Sequence, residues 1–183
     1  MPVYLALLRG INVSGRNIIK MEDLRMRMEA TGYSNVKTFI QSGNVIFSSK
    51  EKKSGKIGKD MEAILKQEYG FDITVFIIMH EELEKANNNP FRQGRVKEEP
   101  GFKKLYVTFM SEVPAIENIE KLRQASIGED EIAFAGSTLY FKLFSRASDS
   151  KLSNSLIESK LKLRATTRNW NTTLKLLAIM QSY

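Results

Sequence analysis

The same order of apolar segments occurs twice along this chain, and that order constrains the fold more than any other feature of the sequence. In each half, a strand-like run is followed by residues at helical spacing, two strands around a turn, a second helical pattern and a further strand. Two copies of this βαββαβ order predict an α+β protein made of two ferredoxin-like repeats with antiparallel sheets. A C-terminal helix is predicted after the second copy.

The first half carries the clearer pattern. Residues 3–8 and 73–79 are apolar at nearly every position, which predicts strands with two covered faces. We expect the second repeat or another chain to cover the outer face. Gly32 and Gly70 follow the two helical patterns and are expected to end them. The predicted strands are residues 3–8, 36–40, 45–48 and 73–79, and the helices begin near Met21 and Ile57.

The second half repeats the order after a segment rich in turn formers and charge. Pro114 suits the first turn of a helix, where a missing N–H is harmless. The predicted strands are residues 102–110, 132–134, 139–144 and 163–167, with a helix over 152–161 and a last helix beginning near Asn171 or Thr172. The predicted domains are therefore residues 1–88 and 101–183, joined by a linker at 89–100.

Composition excludes several kinds of site. The chain has no cysteine and one histidine, His80, so thiolate metal sites, cysteine nucleophiles and histidine clusters are excluded, and no metal or other cofactor is predicted. The formal charge of +7 favours anionic partners. The chain shows no signal peptide, and its apolar runs are far shorter than the roughly 20 residues of a membrane helix. A cytoplasmic protein without a membrane partner is predicted.

The two copies differ in two connections. Residues 10–20 separate the first strand and helix of copy one, whereas residues 111–113 do so in copy two. Copy two instead adds residues 166–172 around the end of its last strand. Both additions are rich in Arg and Asn, and polar loops on a complete scaffold are frequent positions for function.

These additions supply a candidate binding site. Glycines at a helix entry expose backbone N–H groups to an anion, and arginine side chains add charged hydrogen-bond donors. The alternative is that the glycines and asparagines only form turns and that the tryptophan fills a core gap. The predicted ligand-binding residues are Arg9 and Arg168 for an anionic group, Asn12, Asn44 and Asn169 for polar atoms, Trp170 as an apolar wall, and Gly10, Gly15, Asn17 and Ser42 around them.

Three ordered segments resemble the family catalogued as domain of unknown function 1697. They are residues 8–13 (LRGINV), 41–45 (QSGNV) and 167–172 (TRNWNT), and the resemblance runs nearly from end to end. It implies two ferredoxin-like halves and supplies no activity. The family's motif positions correspond to Arg9, Gly10, Asn12, Gly15, Asn17, Ser42, Gly43, Asn44, Arg168, Asn169 and Trp170.

The predicted function is binding of a small anionic or phosphate-bearing ligand where the Arg9–Asn17 loop meets the Arg168–Trp170 segment. Whether a reaction occurs there is left open, and no catalytic residue is predicted, because no nucleophile with an adjacent base is evident. One alternative is a nucleic-acid-binding module that uses the basic surface, although the strands lack the aromatic pattern of RNA-binding sheets. The other is that the motifs only hold the two repeats together. The oligomeric state is not predicted.

Overall fold

The computed structural model describes residues 1–92, 105–125 and 127–183, and it shows an α+β protein with two four-stranded antiparallel sheets. The chain divides into two compact units, which are Met1–Glu84 with Lys175–Tyr183 (unit 1) and Lys85–Leu174 (unit 2). The elements are β1 (Val3–Leu8), α1 (Met21–Ala30), β2 (Ser34–Phe39), β3 (Asn44–Ser48), α2 (Ser54–Tyr69), β4 (Val75–Met79), α3 (His80–Ala86), β5 (Leu105–Met110), α4 (Ile116–Arg123), β6 (Glu131–Ala135), β7 (Thr138–Lys142), α5 (Asn154–Leu161), β8 (Ala165–Asn169) and α6 (Trp170–Gln181).

The two sheets have the same strand order. Sheet 1 runs β2-β3-β1-β4 and sheet 2 runs β6-β7-β5-β8, with every pair of neighbours antiparallel. In each, the first strand of the repeat has a neighbouring strand on each side, and nearly all of its residues are buried. The prediction of two antiparallel sheet–helix repeats is therefore confirmed.

Backbone hydrogen bonds at the ends of the central strands occur at equivalent positions in the two units. The N–H of Leu8 donates to the carbonyl of Gly43 (2.8 Å), and the N–H of Met110 donates to that of Ser137 (2.9 Å). In register, Leu7 lies opposite Asn44. The β5–β7 register likewise places Phe109 opposite Thr138. The β3 and β7 residues can thus be aligned one by one.

Side chains repeat as well. A carboxylate on the second helix of each repeat accepts the first N–H of the last strand. Glu62 accepts from the N–H of Val75 in unit 1 (3.0 Å), and Glu158 accepts from the N–H of Ala165 in unit 2 (2.8 Å). Each sheet also carries a stacked tyrosine–phenylalanine pair at equivalent positions, Tyr4 with Phe47 and Tyr106 with Phe141. These shared contacts support one architecture used twice.

The end of each repeat differs from the prediction. The first repeat also has a helix directly after its last strand, α3, so a terminal helix is not peculiar to the second. Strand β8 begins at Ala165 and ends at Asn169, whereas the predicted strand covered residues 163–167. Helix α6 begins at Trp170, just before the predicted start, because Asn169 caps it. Residues 93–100 of the predicted linker and residues 102–104 of the predicted strand lie outside the described residues.

Both faces of the central strand β1 are buried, as the apolar pattern predicted. Tyr4 on the face toward α1 and α2 and Leu5 on the other face are 1% and 0% exposed. Part of the cover within unit 1 is the chain's own C-terminal segment. The Tyr183 hydroxyl lies within hydrogen-bond distance of the carbonyls of Asn35 (2.7 Å) and Ile46 (3.3 Å). No described helix is long and apolar enough to span a membrane.

Helices α1 and α2 are joined by a polar clasp. The Tyr69 hydroxyl donates to Asp23 Oδ2 (2.5 Å), and Arg27 Nε donates to the same oxygen (2.9 Å). Arg27 also forms an ion pair with Glu68. Partial burial, followed by the bond to Asp23, raises the pKa of Tyr69 to about 12.

This clasp predicts a stability change at alkaline pH. Because the folded pKa of Tyr69 is raised above its ordinary value of 10.0, the stability it contributes is present below pH 10 and is lost as pH rises toward about 12. Urea unfolding across this range should show a smaller loss of unfolding free energy in Tyr69→Phe than in the wild type. Equal pH slopes for the two proteins would contradict a role for this tyrosine.

Candidate functional site

Among the described connections within each repeat, the loop between β1 and α1 differs most in length between the two units. It occupies residues 9–20, whereas residues 111–115 make the equivalent connection in unit 2. At its tip, Ser14 (φ +50°) and Gly15 (φ +74°) are both left-handed, and the N–H of Arg16 donates to the carbonyl of Val13 (2.9 Å). Two left-handed central residues are typical of a type I′ hairpin turn. The loop therefore projects as a small hairpin.

Asn12 holds the base of this loop. Its Nδ2 donates to the carbonyls of Ile19 (2.9 Å) and Gln41 (2.9 Å), and its Oδ1 accepts the N–H of Ile19 (2.8 Å). Asn12 is itself left-handed (φ +54°), a conformation that asparagine tolerates better than most residues. The bond to Gln41 connects the β1–α1 loop to the β2–β3 turn.

Asn17 closes the other side of the loop. Its Nδ2 donates to the carbonyl of Gly10 (3.0 Å), and its carbonyl accepts the N–H of Asn12 (3.2 Å). Gly10 is left-handed (φ +69°), with open space where a Cβ would be. The two predicted asparagines thus use side-chain amides to organise the loop.

The β2–β3 turn is fixed by packing and by a third asparagine amide. Asn44 is fully buried, and its Nδ2 donates to the carbonyl of Phe39 (3.0 Å) and to Ser42 Oγ (2.9 Å). Gly43 has φ +77°, and a Cβ there would lie 2.8 Å from Leu8 Cβ and 2.9 Å from Ile11 Cδ1. This close approach explains the glycine better than ligand contact does.

Cations dominate the surface of the loop. Residues 9–20 contain Arg9, Arg16 and Lys20 and no carboxylate. Arg16 and Lys20 are exposed, and Arg9 is half-buried. The backbone N–H of Arg9 donates to the carbonyl of Thr74 (3.0 Å). Arg16 makes no ion pair with any residue that the structure describes. Sequence reasoning did not select Arg16 or Lys20, although both lie within the loop it singled out.

Arg168 lies on β8 of unit 2 and is 7% exposed. Its Nη1 donates to Thr166 Oγ1 (2.9 Å) and to the carbonyl of Thr167 (2.9 Å). Burial lowers the pKa of Arg168 to about 10, so the side chain remains a cation at neutral pH. The register of β8 against β5 aligns Arg168 with Ile78 of the first repeat, where the equivalent buried side chain is apolar.

The next two predicted residues begin helix α6. Asn169 Oδ1 accepts the N–H of Thr172 (2.8 Å), which makes it the N-cap, and its carbonyl accepts the Thr173 hydroxyl (3.2 Å). Trp170 is 5% exposed as the first residue of the helix. Asn169 therefore has a structural role as a helix cap, and Trp170 is buried.

The structure thus brings the predicted residues of unit 1 into one element, composed of the β1–α1 loop and the β2–β3 turn. What sequence reasoning missed is the link between them, the carbonyl of Gln41. A backbone carbonyl carries no residue-specific signal, so only the fold could reveal this partner. No described group of His, Asp and Glu side chains could hold a metal ion.

Comparisons with known proteins support the fold and leave the activity open. A family model described as protein of unknown function (DUF1697) matches residues 1–140. The chain is similar to the conserved bacterial protein SP0830 from Streptococcus pneumoniae, with 22% identity, 98% of each chain covered and a TM-score of 0.73. At that identity the likeness concerns the fold alone. A search of curated proteins found no match.

Proposed function

Because the chain belongs to the DUF1697 family of proteins of unknown function, we propose its function from its own residues: unit 1 binds a small anionic or phosphate-bearing ligand. The site is the β1–α1 loop together with the β2–β3 turn. The family model covers both segments, which lie within residues 1–140. No reaction is part of the proposal.

The observation that carries this proposal is that two connections of unit 1 are longer than their counterparts in unit 2. Relative to unit 2, unit 1 has a longer first connection and a longer hairpin turn, residues 40–43 against 136–137. The bond from Asn12 to Gln41 joins these two insertions into one element. Residues added beyond a complete repeat need a purpose other than completing the fold, and loops are where binding is usually placed.

The chemistry of the element favours an anion. The N–H groups of Ser14 and Gly15 have no hydrogen-bond acceptor among the residues described, and the Arg16 guanidinium follows directly in the chain. Backbone N–H groups in left-handed turns and arginine forks are both common donors to phosphate oxygens. Because Asn12 and Asn17 already fix the loop, little further ordering is required when a ligand binds.

Inorganic phosphate should therefore stabilise the protein through Arg16. A ligand that binds only the folded state at a hundred times its Kd stabilises by about 2.7 kcal/mol, which for a chain of this size raises the Tm by about 5 to 10 °C. Arg16→Ala should remove most of this rise in a thermal-shift titration. Lys59→Ala is the matched control, since it removes another exposed cation of unit 1 outside the loop.

Four results would count against the proposal. The first is no phosphate response in the wild type, and the second is equal loss of response in Arg16→Ala and Lys59→Ala, which would indicate general charge screening. The third is tight, salt-dependent binding of mixed oligonucleotides, which would favour the nucleic-acid alternative. Full binding in Arg16→Ala would also exclude the loop as the anion site.

Arg168, Asn169 and Trp170 remain proposed ligand residues and need a separate variant. Arg168→Ala should reduce the phosphate response while the protein stays folded if this arginine contacts the ligand. A folded variant with an unchanged response would exclude it. Loss of folding would instead favour a structural role, consistent with its burial and its bonds to Thr166 and Thr167.

We also infer that each repeat is a ferredoxin-like fold. The support is the order of elements, βαββαβ, together with a central first strand beside the third and fourth strands of the repeat. We also propose that the boundary between the two domains lies within residues 89–100.

A further inference from the structure

Strand β6 forms one edge of sheet 2, and it is the counterpart of edge strand β2 in sheet 1. An exposed edge presents unpaired N–H and C=O groups that can pair with another strand, so proteins usually protect such edges. The duplicated architecture allows the two edges to be compared residue by residue.

The edge at β2 is protected in three ways. Its register against β3 shifts between Ser34 and Lys37. Lys37 is exposed, with its ammonium 4.5 Å from the centre of the Tyr183 ring. The Tyr183 hydroxyl also donates to the carbonyl of Asn35, within the same strand. An irregular register, an edge lysine and a covering side chain each hinder pairing with a further strand.

The edge at β6 has none of these protections within the described residues. Its sequence is EIAFA, without lysine or proline, and its register against β7 is regular from Glu131 to Ala135. The register places Ala135 opposite Thr138 in sheet 2 and Phe39 opposite Asn44 in sheet 1. Ala135 and Phe39 are therefore equivalent. Two residues earlier in each strand, Ala133 of β6 is equivalent to Lys37 of β2.

The backbone groups that face outward can be identified from β7. The carbonyl of Ser137, the residue before β7, accepts the N–H of Met110. Alternate residues from Ser137 onward therefore bond toward β5, and the β7 residues between them bond toward β6. Ala133 and Ala135 therefore pair with β7, and Ile132 and Phe134 direct their N–H and C=O groups away from it. These outward groups have no hydrogen-bond partner among the described residues.

We propose that β6 pairs antiparallel with β6 of a second copy of this chain, across a two-fold axis at Ala133. In that register Ile132 lies opposite Phe134 of the second copy. The N–H of each of these two residues donates to the carbonyl of the other. The pairing is independent of the ligand site proposed in unit 1, because β6 belongs to unit 2.

The side chains of β6 suit this particular partner. Ile132 and Phe134 pack against the apolar core of unit 2 and would form apolar cross-strand pairs with the second copy. Glu131 would lie opposite Ala135 of the second copy rather than opposite another glutamate. The strand is therefore complementary to itself in this register, in which both outward-facing residues of each copy find partners within β6. A short edge interface predicts a weak, concentration-dependent dimer.

The test uses two lysine substitutions in the same strand. Ala133→Lys places two ammonium groups directly opposite each other at the axis, so the dimer dissociation constant should rise at least tenfold. Ala135→Lys adds the same charge but places it opposite Glu131 of the second copy, so the dimer should be retained or tightened at low salt. Sedimentation velocity from micromolar to millimolar protein measures both.

A second measurement uses the unmodified protein, in case Ala133→Lys fails to fold. Hydrogen exchange at the amides of Ile132 and Phe134 should slow as concentration rises, while amides in β2 should not change. A wild-type protein that stays monomeric at millimolar concentration would overturn the proposal, as would exchange at Ile132 and Phe134 that does not depend on concentration. Equal weakening by the two lysine variants would exclude this register and with it the pairing proposed.

Discussion

Gly43→Ala is expected to destabilise the protein by about 3 kcal/mol, one of the two largest effects of a single substitution expected here. A Cβ at this position would lie 2.8 Å from Leu8 Cβ and 2.9 Å from Ile11 Cγ1, and φ is +77°. Leu8 is a fully buried residue of the central strand, so it cannot move away without disturbing the sheet. The free energy of urea unfolding measures the effect.

Gly10→Ala is the matched control for this prediction. Gly10 has a similar φ of +69°, but nothing lies within 4 Å of the position that a Cβ would take. Only the cost of the left-handed conformation applies there, about 1 kcal/mol. Equal destabilisation by the two substitutions would show that close packing at Gly43 is not the cause.

Asn12→Asp is expected to lower the free energy of unfolding by about 2 to 3 kcal/mol, because it replaces the donor of two hydrogen bonds to carbonyls with a carboxylate oxygen. That oxygen would face the carbonyls of Ile19 and Gln41, where Nδ2 now donates to both. Aspartate tolerates the left-handed conformation about as well as asparagine, so the backbone contributes little to the difference. Chemical denaturation measures it.

Asn17→Asp provides the comparison within the same loop. Within the part of the chain that the structure describes, Asn17 Nδ2 makes one hydrogen bond, to the carbonyl of Gly10, and Asn17 is also left-handed at φ +48°. Its loss should cost about 1 kcal/mol. If Asn12→Asp proves no more destabilising than Asn17→Asp, the link between the β1–α1 loop and the β2–β3 turn does not stabilise the fold.

These tests also separate two interpretations of the asparagine-rich motifs. The amides of Asn12, Asn17 and Asn44 all bond to carbonyls of their own unit, so much of each motif serves to hold the chain in place. A structural role of this kind does not exclude binding, because it fixes the exposed residues of the loop. These bonds would hold Arg16, at the tip of the loop, in position to contact the proposed ligand.

The sequence by itself determined the repeated order of elements and the position of the longer loop. Apolar periodicity in runs such as Val3–Leu8 reflects burial along one strand, and a glycine such as Gly70 reflects the backbone at one helix end. Both signals are local, so they can be read without knowing which segments meet. The same reasoning placed the last strand two residues too early, since Arg168 is polar but buried.

Only the tertiary structure decided which contacts these residues make. Asn12 bonds to the backbone carbonyl of Gln41, far along the chain, and the sequence does not specify a carbonyl that every residue possesses. Gly43 is needed because Leu8 and Ile11 approach it, which no pattern around Gly43 reveals. The unprotected edge at β6 likewise appears only once strand order is known, because a strand is an edge through its neighbours and not through its own residues.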